Sequence, residues 1–146
     1  MPGGAAVADD ATRKALALEY CRLLNAGDLE GVLALFDPGI RFEDPAGTPP
    51  RVGKEAVRQY LSGVIGAGIE EVPGEPRTSM EGQMVVLPVT GEMDAPPELN
   101  APAGSRMRFR MVSLIRVGAA GLVTEVRVLV GRTDCQVVAP SGAPAG

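Results

Sequence analysis

The 146-residue sequence contains no histidine, and this absence excludes much common enzyme chemistry. Nucleophile pairs of serine or cysteine with histidine cannot form, and the usual zinc sites lose a principal ligand. Acid–base chemistry near neutral pH must then come from carboxyl groups, tyrosine, lysine or cysteine. A carboxylate is a useful base at that pH only where its surroundings raise its pKa, as apolar burial does. The candidate functional groups are therefore carboxyl groups that point into an apolar interior.

Cysteine, strong net charge and long apolar runs are also scarce. The two cysteines, Cys21 and Cys135, do not imply a disulfide framework, and we expect both to be small buried hydrophobic residues. The net charge of −4 gives no electrostatic reason to bind nucleic acid or an anionic membrane. No apolar run approaches the length of a transmembrane helix, and the N-terminus lacks the features of a signal peptide. We therefore expect a cytoplasmic protein without nucleic-acid or membrane partners.

The predicted elements place helices first and strands after. Apolar residues at helical spacing predict helices over residues 10–25, 29–36 and 53–64. Alternating patterns predict strands over residues 40–44, 77–80, 83–93, 106–117 and 122–130, with a hairpin turn at 118–121. This is an α+β pattern, for which we expect a cone: a curved, mostly antiparallel sheet wrapped against three N-terminal helices. We expect one domain over residues 9–139, with flexible tails at 1–8 and 140–146.

Polar side chains from three predicted elements converge on the space inside this cone. The period of two places Asp44 on the same strand face as the apolar residues Ile40 and Phe42. Tyr20 lies on the apolar stripe of the first helix, and Ser113 shares a face of the long strand with methionine, phenylalanine and isoleucine. Apolar burial raises the pKa of an aspartate and makes it a better base. Asp44 is therefore a candidate general base, and the alternative is that it simply ends the strand and caps a turn before Pro45.

Several further side chains are candidates for substrate binding. Methionine adapts to an irregular apolar ligand, which makes Met84 and Met111 candidates, although plain core packing is the alternative for the methionines. A Pro- and Ala-rich loop precedes the long strand, and if it covers the mouth of the cone it brings Asp94 near the substrate; the alternative is a surface position. The predicted substrate-binding residues are Phe42, Met84, Asp94, Met111 and Ser113.

Three motifs follow one another in the first half of the chain: Leu-Asn-Ala-Gly-Asp-Leu, Glu-Asp-Pro-x-Gly and Pro-Pro-Arg-x-Gly. Their order and spacing resemble ketosteroid isomerase and its relatives in the nuclear transport factor 2-like group, which includes SnoaL-like polyketide cyclases. The resemblance implies the cone fold, a homodimer, Asp44 as a proton-transferring base and Tyr20 as a hydrogen-bond donor. The second, protonated acid of ketosteroid isomerase is replaced here by Ser113, which argues against steroid isomerisation.

A second carboxyl group, Glu71, lies between the third helix and the following strand, in the sequence Glu-Glu-Val-Pro. With Asp44 it resembles the aspartate–glutamate pair of the epoxide hydrolases and cyclases of polyether-ionophore biosynthesis, which belong to the same group. This implies opening of an epoxide in an apolar polyketide substrate, to give a diol or a cyclic ether. Asp44 would be the base and Glu71 the acid, with Tyr20 assisting. No cofactor or metal motif is visible, and this chemistry requires none.

Two other functions stay open at this point. An isomerase of the ketosteroid type would aim Tyr20 and a second donor at one carbonyl oxygen, with Asp44 beside the adjacent carbon. A non-catalytic relative would bind a small molecule or a partner subunit, with Asp44 paired to an arginine or with a filled cavity. Epoxide chemistry differs from both because it predicts that Asp44 and Glu71 face one deep apolar cavity.

Overall fold

Three helices and eight strands make up residues 8–140, the part of the chain that the computed structural model describes. The helices are α1 (Asp10–Asn25), α2 (Leu29–Ala34) and α3 (Lys54–Gly66). The strands are β1 (Phe36–Glu43), β2 (Arg51–Val52), β3 (Glu70–Pro73), β4 (Arg77–Thr78), β5 (Met84–Asp94), β6 (Arg106–Val117), β7 (Val123–Leu129) and β8 (Cys135–Val138). The predicted flexible tails lie outside the described residues, apart from Ala8 and Pro140.

Local capping explains where the first two helices begin and end. The Asp9 carboxylate accepts a backbone N–H of the first turn of α1 at 2.7 Å. After α1 ends at Asn25, Gly27 takes a φ of +71°, which glycine adopts without strain. The Asp28 side chain then accepts a backbone N–H of α2 at 2.9 Å. α1 therefore ends at residue 25 and α2 begins at residue 29, which confirms the predicted end of the first helix and the predicted start of the second.

The strands form one sheet with the order β2-β1-β7-β6-β5-β3, while β4 pairs with β5 and β8 pairs with β6. β1 and β7 run parallel, and the other pairs are antiparallel. The long β6 therefore crosses the middle of the sheet, and a tight turn at Gly118–Gly121 returns the chain into β7. Three helices against a curved, mostly antiparallel sheet confirm the predicted α+β cone.

β1 begins earlier than the sequence predicts. The sequence predicts a helix to residue 36 and a strand from residue 40, and the residues between them, Asp-Pro-Gly, are typical of a turn, but α2 ends at Ala34 and β1 starts at Phe36. Phe36 pairs with Val123 of β7, so a distant strand supplies the hydrogen bonds. Pro38 is tolerated because the β1–β7 ladder is irregular just after Phe36. Tertiary pairing thus overrides a local turn signal.

The short strands β2, β3 and β8 escape sequence-based prediction. None is longer than four residues, and β3 and β8 each pair with a much longer strand. Such pairing depends on tertiary context rather than on local propensity. One consequence concerns the cysteines. Cys21 is buried, as predicted, but Cys135 lies on the edge strand β8 and is exposed. The prediction that Cys135 is buried is therefore wrong.

The hydrophobic core lies between one face of the sheet and the helices. Its largest fully buried side chains include Phe36, Ile40, Phe42, Leu61, Leu87 and Ile115. These residues come from β1, α3, β5 and β6, so the core ties the sheet to the helix that crosses it. Apolar burial of this kind is the main source of stability in such a domain. Asp44 follows the buried residues Ile40 and Phe42 of β1 on the same inward-facing side of the strand.

Candidate active site

A cavity of about 200 Å³ lies between the inner face of the sheet and helices α1 and α3. Most of its wall is apolar. The polar side chains that line it include Tyr20, Asp44, Tyr60, Glu71 and Ser113. Three larger hollows, of about 840, 490 and 260 Å³, contain neither Asp44 nor Glu71 among their lining residues. The small enclosed cavity, rather than the larger hollows, is therefore the place where titratable groups and an apolar ligand can meet.

Asp44 reaches the cavity because it follows the inward positions of β1. Its carboxylate oxygen Oδ2 accepts a hydrogen bond of 2.6 Å from the hydroxyl of Tyr60 on α3. Arg51 lies behind this tyrosine, with its guanidinium carbon 3.8 Å from the ring centroid. Burial raises the pKa of Asp44, while the Tyr60 hydrogen bond and the positive charge of Arg51 oppose that rise. Asp44 is thus a largely but not fully buried carboxyl group with two contacts that favour its charged form.

Glu71 reaches the same cavity from β3. Only 7% of the residue is exposed, although Glu70 and Val72 on either side are exposed. Burial raises the pKa of Glu71 to about 7; the nearby Cys21 thiol lowers it, and the negative charge of Asp44 raises it further. The Glu71 carboxyl therefore holds its proton to a higher pH than an ordinary glutamate does.

The backbone of Glu71 is held by the last residue of α1. The Asn25 side-chain amide donates to the Glu71 carbonyl oxygen at 2.8 Å, and its oxygen accepts the Glu71 N–H at 2.7 Å. The other edge of β3 pairs with β5, where Glu71 lies opposite Gly91. A Cβ atom at Gly91 would lie 2.5 Å from the backbone oxygen of Glu70, so only glycine allows the two strands this approach. These contacts fix where the Glu71 side chain leaves the sheet.

Tyr20 projects from the buried stripe of α1 into the cavity. Burial raises the pKa of its hydroxyl well above the ordinary value, and the negative charges of Glu71 and Asp44 raise it further. Tyr20 therefore stays protonated at physiological pH, and its hydroxyl is available as a hydrogen-bond donor. Its ring packs 5.8 Å from that of Phe36, which holds the helix against β1.

Three of the predicted substrate-binding residues, Phe42, Met111 and Ser113, line the cavity. The other two, Met84 and Asp94, do not, and the prediction that they contact substrate there is wrong. Both lie at the ends of β5 on the face opposite to the inward neighbours Val85 and Met93, as the period of two requires. The Asp94 carboxylate is exposed and accepts a hydrogen bond of 2.8 Å from an arginine of β6.

Sequence reasoning missed Tyr60, Arg51 and Asn25 as contributors to the site. Tyr60 falls within the helix predicted over residues 53–64, but its hydroxyl carries no sequence signal for a partner on another element. Arg51 lies in the Pro-Pro-Arg-x-Gly motif, and Asn25 reads simply as a helix stop. All three act through contacts between elements that are distant in the chain, 16 residues apart for Tyr60 and Asp44 and 46 for Asn25 and Glu71.

The described residues contain no group of three or more His, Cys, Asp or Glu side chains placed to hold a metal ion. Within that same range, no helix is long and apolar enough to cross a membrane.

The fold and site define a class of cone-shaped protein in which two carboxyl groups line an apolar pocket. A family model described as the SnoaL-like domain matches residues 17–126, and the chain belongs to this family. It is 45% identical over 125 residues to the epoxide hydrolase LasB of Streptomyces lasalocidi, an alignment that covers 86% of this chain and 43% of that protein. The chain therefore spans less than half the length of this relative.

Solved structures show the same fold. The epoxide hydrolase/cyclase-like enzyme SalBIII, described for its role in pyran ring formation in the polyether salinomycin, superposes with a TM-score of 0.82. It is 28% identical, and the match covers 89% of this chain and 98% of SalBIII. RV0760c from Mycobacterium tuberculosis, in complex with estradiol-17beta-hemisuccinate, has a TM-score of 0.75 and 23% identity, over 86% of this chain and 98% of that one. This last likeness concerns the fold alone.

Proposed function

We propose that this protein opens an epoxide on a polyketide chain, with Asp44 as general base and Glu71 as general acid. One observation carries the proposal: two carboxyl groups face one apolar cavity, and although burial raises the pKa of both, only Asp44 has a tyrosine hydrogen bond and a nearby positive charge that favour its charged form. Tyr60 and Arg51 favour the charged form of Asp44. Burial and the charge of Asp44 keep a proton on Glu71 until the pH approaches about 7. Epoxide opening needs this division, because a base must activate the nucleophile while an acid neutralises the departing oxygen.

In the proposed reaction, ionised Asp44 removes a proton from the nucleophile, which is either water or a hydroxyl group of the substrate. The nucleophile forms a bond to one epoxide carbon, the carbon–oxygen bond there breaks, and Glu71 gives its proton to the epoxide oxygen. Water yields a diol, and an internal hydroxyl yields a cyclic ether. One proton arrives at Asp44 as one leaves Glu71, so the total charge of the pair does not change during the reaction.

Tyr20 assists by donating a hydrogen bond to the oxygen that leaves the epoxide carbon. Its raised pKa means that it stabilises the developing charge without giving up its proton. The apolar wall contributed by Phe42, Met111 and neighbouring side chains excludes water and strengthens these electrostatic interactions. A substrate held with its nucleophile beside Asp44 also gains rate from proximity. No step of this reaction requires a cofactor or a metal ion.

The relatives support the choice of substrate class. LasB is named as an epoxide hydrolase, and SalBIII is described as an epoxide hydrolase/cyclase-like enzyme of polyether formation. We therefore assign the substrate to epoxide-bearing precursors of polyethers. A single domain over residues 9–139, a homodimer and a cytoplasmic location stay predictions, of which sedimentation measurements test the second.

The test is turnover of a synthetic polyketide fragment that carries one epoxide and one hydroxyl group. We expect Asp44→Asn and Glu71→Gln each to lower kcat/KM by roughly 100-fold or more, the range of general acid–base catalysis. Glu70→Gln is the matched control, since Glu70 is adjacent in sequence but exposed. It should leave kcat/KM unchanged. Isotopically heavy water distinguishes the two products, because its oxygen enters a diol and does not enter a cyclic ether.

A β,γ-unsaturated ketosteroid serves as the competing substrate. Turnover of the steroid that Glu71→Gln leaves unaffected would refute epoxide chemistry and favour the isomerase. If folded wild-type protein turns over neither substrate, the non-catalytic function is favoured instead. That function predicts an Asp44 paired with arginine or a filled cavity. Among residues 8–140, however, no Lys or Arg side chain forms an ion pair with Asp44, and the cavity measures about 200 Å³.

A further inference from the structure

The two carboxylate oxygens of Asp44 differ in their hydrogen-bond partners. Oδ2 accepts the Tyr60 hydroxyl at 2.6 Å, and no described residue donates a hydrogen bond to Oδ1. The Tyr60 ring packs beside two other side chains: the Phe42 ring, with its centroid 5.7 Å away, and the Arg51 guanidinium, with its carbon 3.8 Å from the Tyr60 centroid. We propose that Tyr60 and Arg51 are positioning residues that anchor Oδ2 of Asp44 and thereby leave Oδ1 as the oxygen that removes the proton. This inference rests on the proposed function.

The packing around Tyr60 explains how it can hold a carboxylate in one orientation. Phe42 and Arg51 are register partners across β1 and β2, so the two side chains that flank the tyrosine ring come from paired strands. Tyr60 itself stands next to Leu61, which is fully buried and fixes α3 against the sheet. A cation over an aromatic face adds attraction to this arrangement. Phe42 and Arg51 therefore both restrict the phenol ring, whose hydroxyl reaches Asp44.

The contacts of Tyr60 and Arg51 also help to determine which of the two cavity carboxyl groups, Asp44 or Glu71, holds a proton. The groups that face Asp44 from the surrounding elements are Tyr60 on α3, Arg51 on β2, Glu71 on β3 and Tyr20 on α1. The Tyr60 hydrogen bond and the positive charge of Arg51 favour the ionised form of Asp44, whereas the only such contact of Glu71 among the described residues is with the weakly donating Cys21 thiol. Removal of Tyr60 or Arg51 should therefore raise the pKa of Asp44. As the pH falls, Asp44 would then take up a proton, and cease to act as a base, at a higher pH than in wild type.

The variants Tyr60→Phe and Arg51→Met test this arrangement. Tyr60→Phe keeps the ring and removes the hydroxyl, and we expect the acid limb of the kcat/KM profile to move up by about one to two pH units. We expect Arg51→Met to move it by roughly half a unit, because the half-exposed guanidinium is screened by solvent. Arg58→Met is the matched control: it removes the same charge from α3, but this side chain pairs with Glu30 and Glu55. It should leave the profile unchanged.

A second measurement does not depend on activity. Carbon-13 NMR of labelled aspartate carboxyl groups, with the Asp44 resonance assigned from Asp44→Asn, reports the pKa of Asp44 in protein without substrate. We expect that pKa to rise in Tyr60→Phe and, by a smaller amount, in Arg51→Met, while Arg58→Met matches wild type. A loss of kcat at nearly constant KM in Tyr60→Phe would agree with a role in orienting the base.

The outcomes separate this inference from the proposed function. An unchanged Asp44 pKa in Tyr60→Phe, or an acid limb that stays at its wild-type position, would overturn the positioning role even if epoxide turnover is established. If wild-type protein opens no epoxide, the NMR shifts would still establish the contact of Tyr60 with Asp44, and only the proposed reaction would fail. A shift of equal size in Arg58→Met would also overturn the inference, since any loss of charge would then produce the effect.

Discussion

Glu71 should make the stability of this protein depend on pH. An unfolded chain releases the glutamate proton near the ordinary pKa of 4.5, whereas the folded protein holds it until about pH 7. Between these values the folded state binds more protons than the unfolded state, so rising pH lowers the free energy of unfolding. The stabilisation is complete below pH 4.5 and is lost as the pH passes through about 7. The difference between the two pKa values corresponds to about 3 kcal/mol.

Replacing Glu71 with glutamine isolates this contribution, because glutamine fills nearly the same space and does not titrate. Urea unfolding can be followed by far-ultraviolet circular dichroism, since the chain has no tryptophan for fluorescence. Wild type should lose about 3 kcal/mol of stability between about pH 4 and about pH 9 beyond any loss in Glu71→Gln. Glu70→Gln changes the adjacent, exposed glutamate and should retain the wild-type dependence. Parallel pH curves for wild type and Glu71→Gln would refute the argument that burial in this cavity raises the pKa of Glu71.

Two further predictions concern the contacts that support β3. Asn25→Ala removes the side-chain amide that pairs with the backbone N–H and carbonyl of Glu71. The free energy of unfolding, measured by urea titration, should fall by roughly 1–3 kcal/mol. A change within error would show that water replaces the amide. Gly91→Ala places a methyl group 2.5 Å from the Glu70 backbone oxygen and should lower stability by about 1–3 kcal/mol. Gly63→Ala, at an open position in α3, should raise the melting temperature instead, and equal effects of both changes would contradict the steric explanation.

Continuous local patterns predict the long elements well. The helix predicted over residues 10–25 and the strand predicted over 106–117 have those same bounds in the structure. Each pattern extends over at least twelve residues, so its period is unambiguous. By contrast, β2 and β3 have two and four residues, and their hydrogen bonds come from strands elsewhere in the chain. No local periodicity can establish such a strand.

The same distinction applies to the candidate site. Sequence alone determined that Asp44 points inward, because the side chain continues the alternation of Ile40 and Phe42 in its own strand. Periodicity could not pair Glu71 with Asp44: a family resemblance suggested that pair, and the tertiary structure decided that both side chains line one cavity and that Tyr60 holds Asp44. Periodicity reports the face on which a side chain leaves its own element. The distance between side chains of different elements depends on strand register and helix packing, which involve residues far apart in the chain.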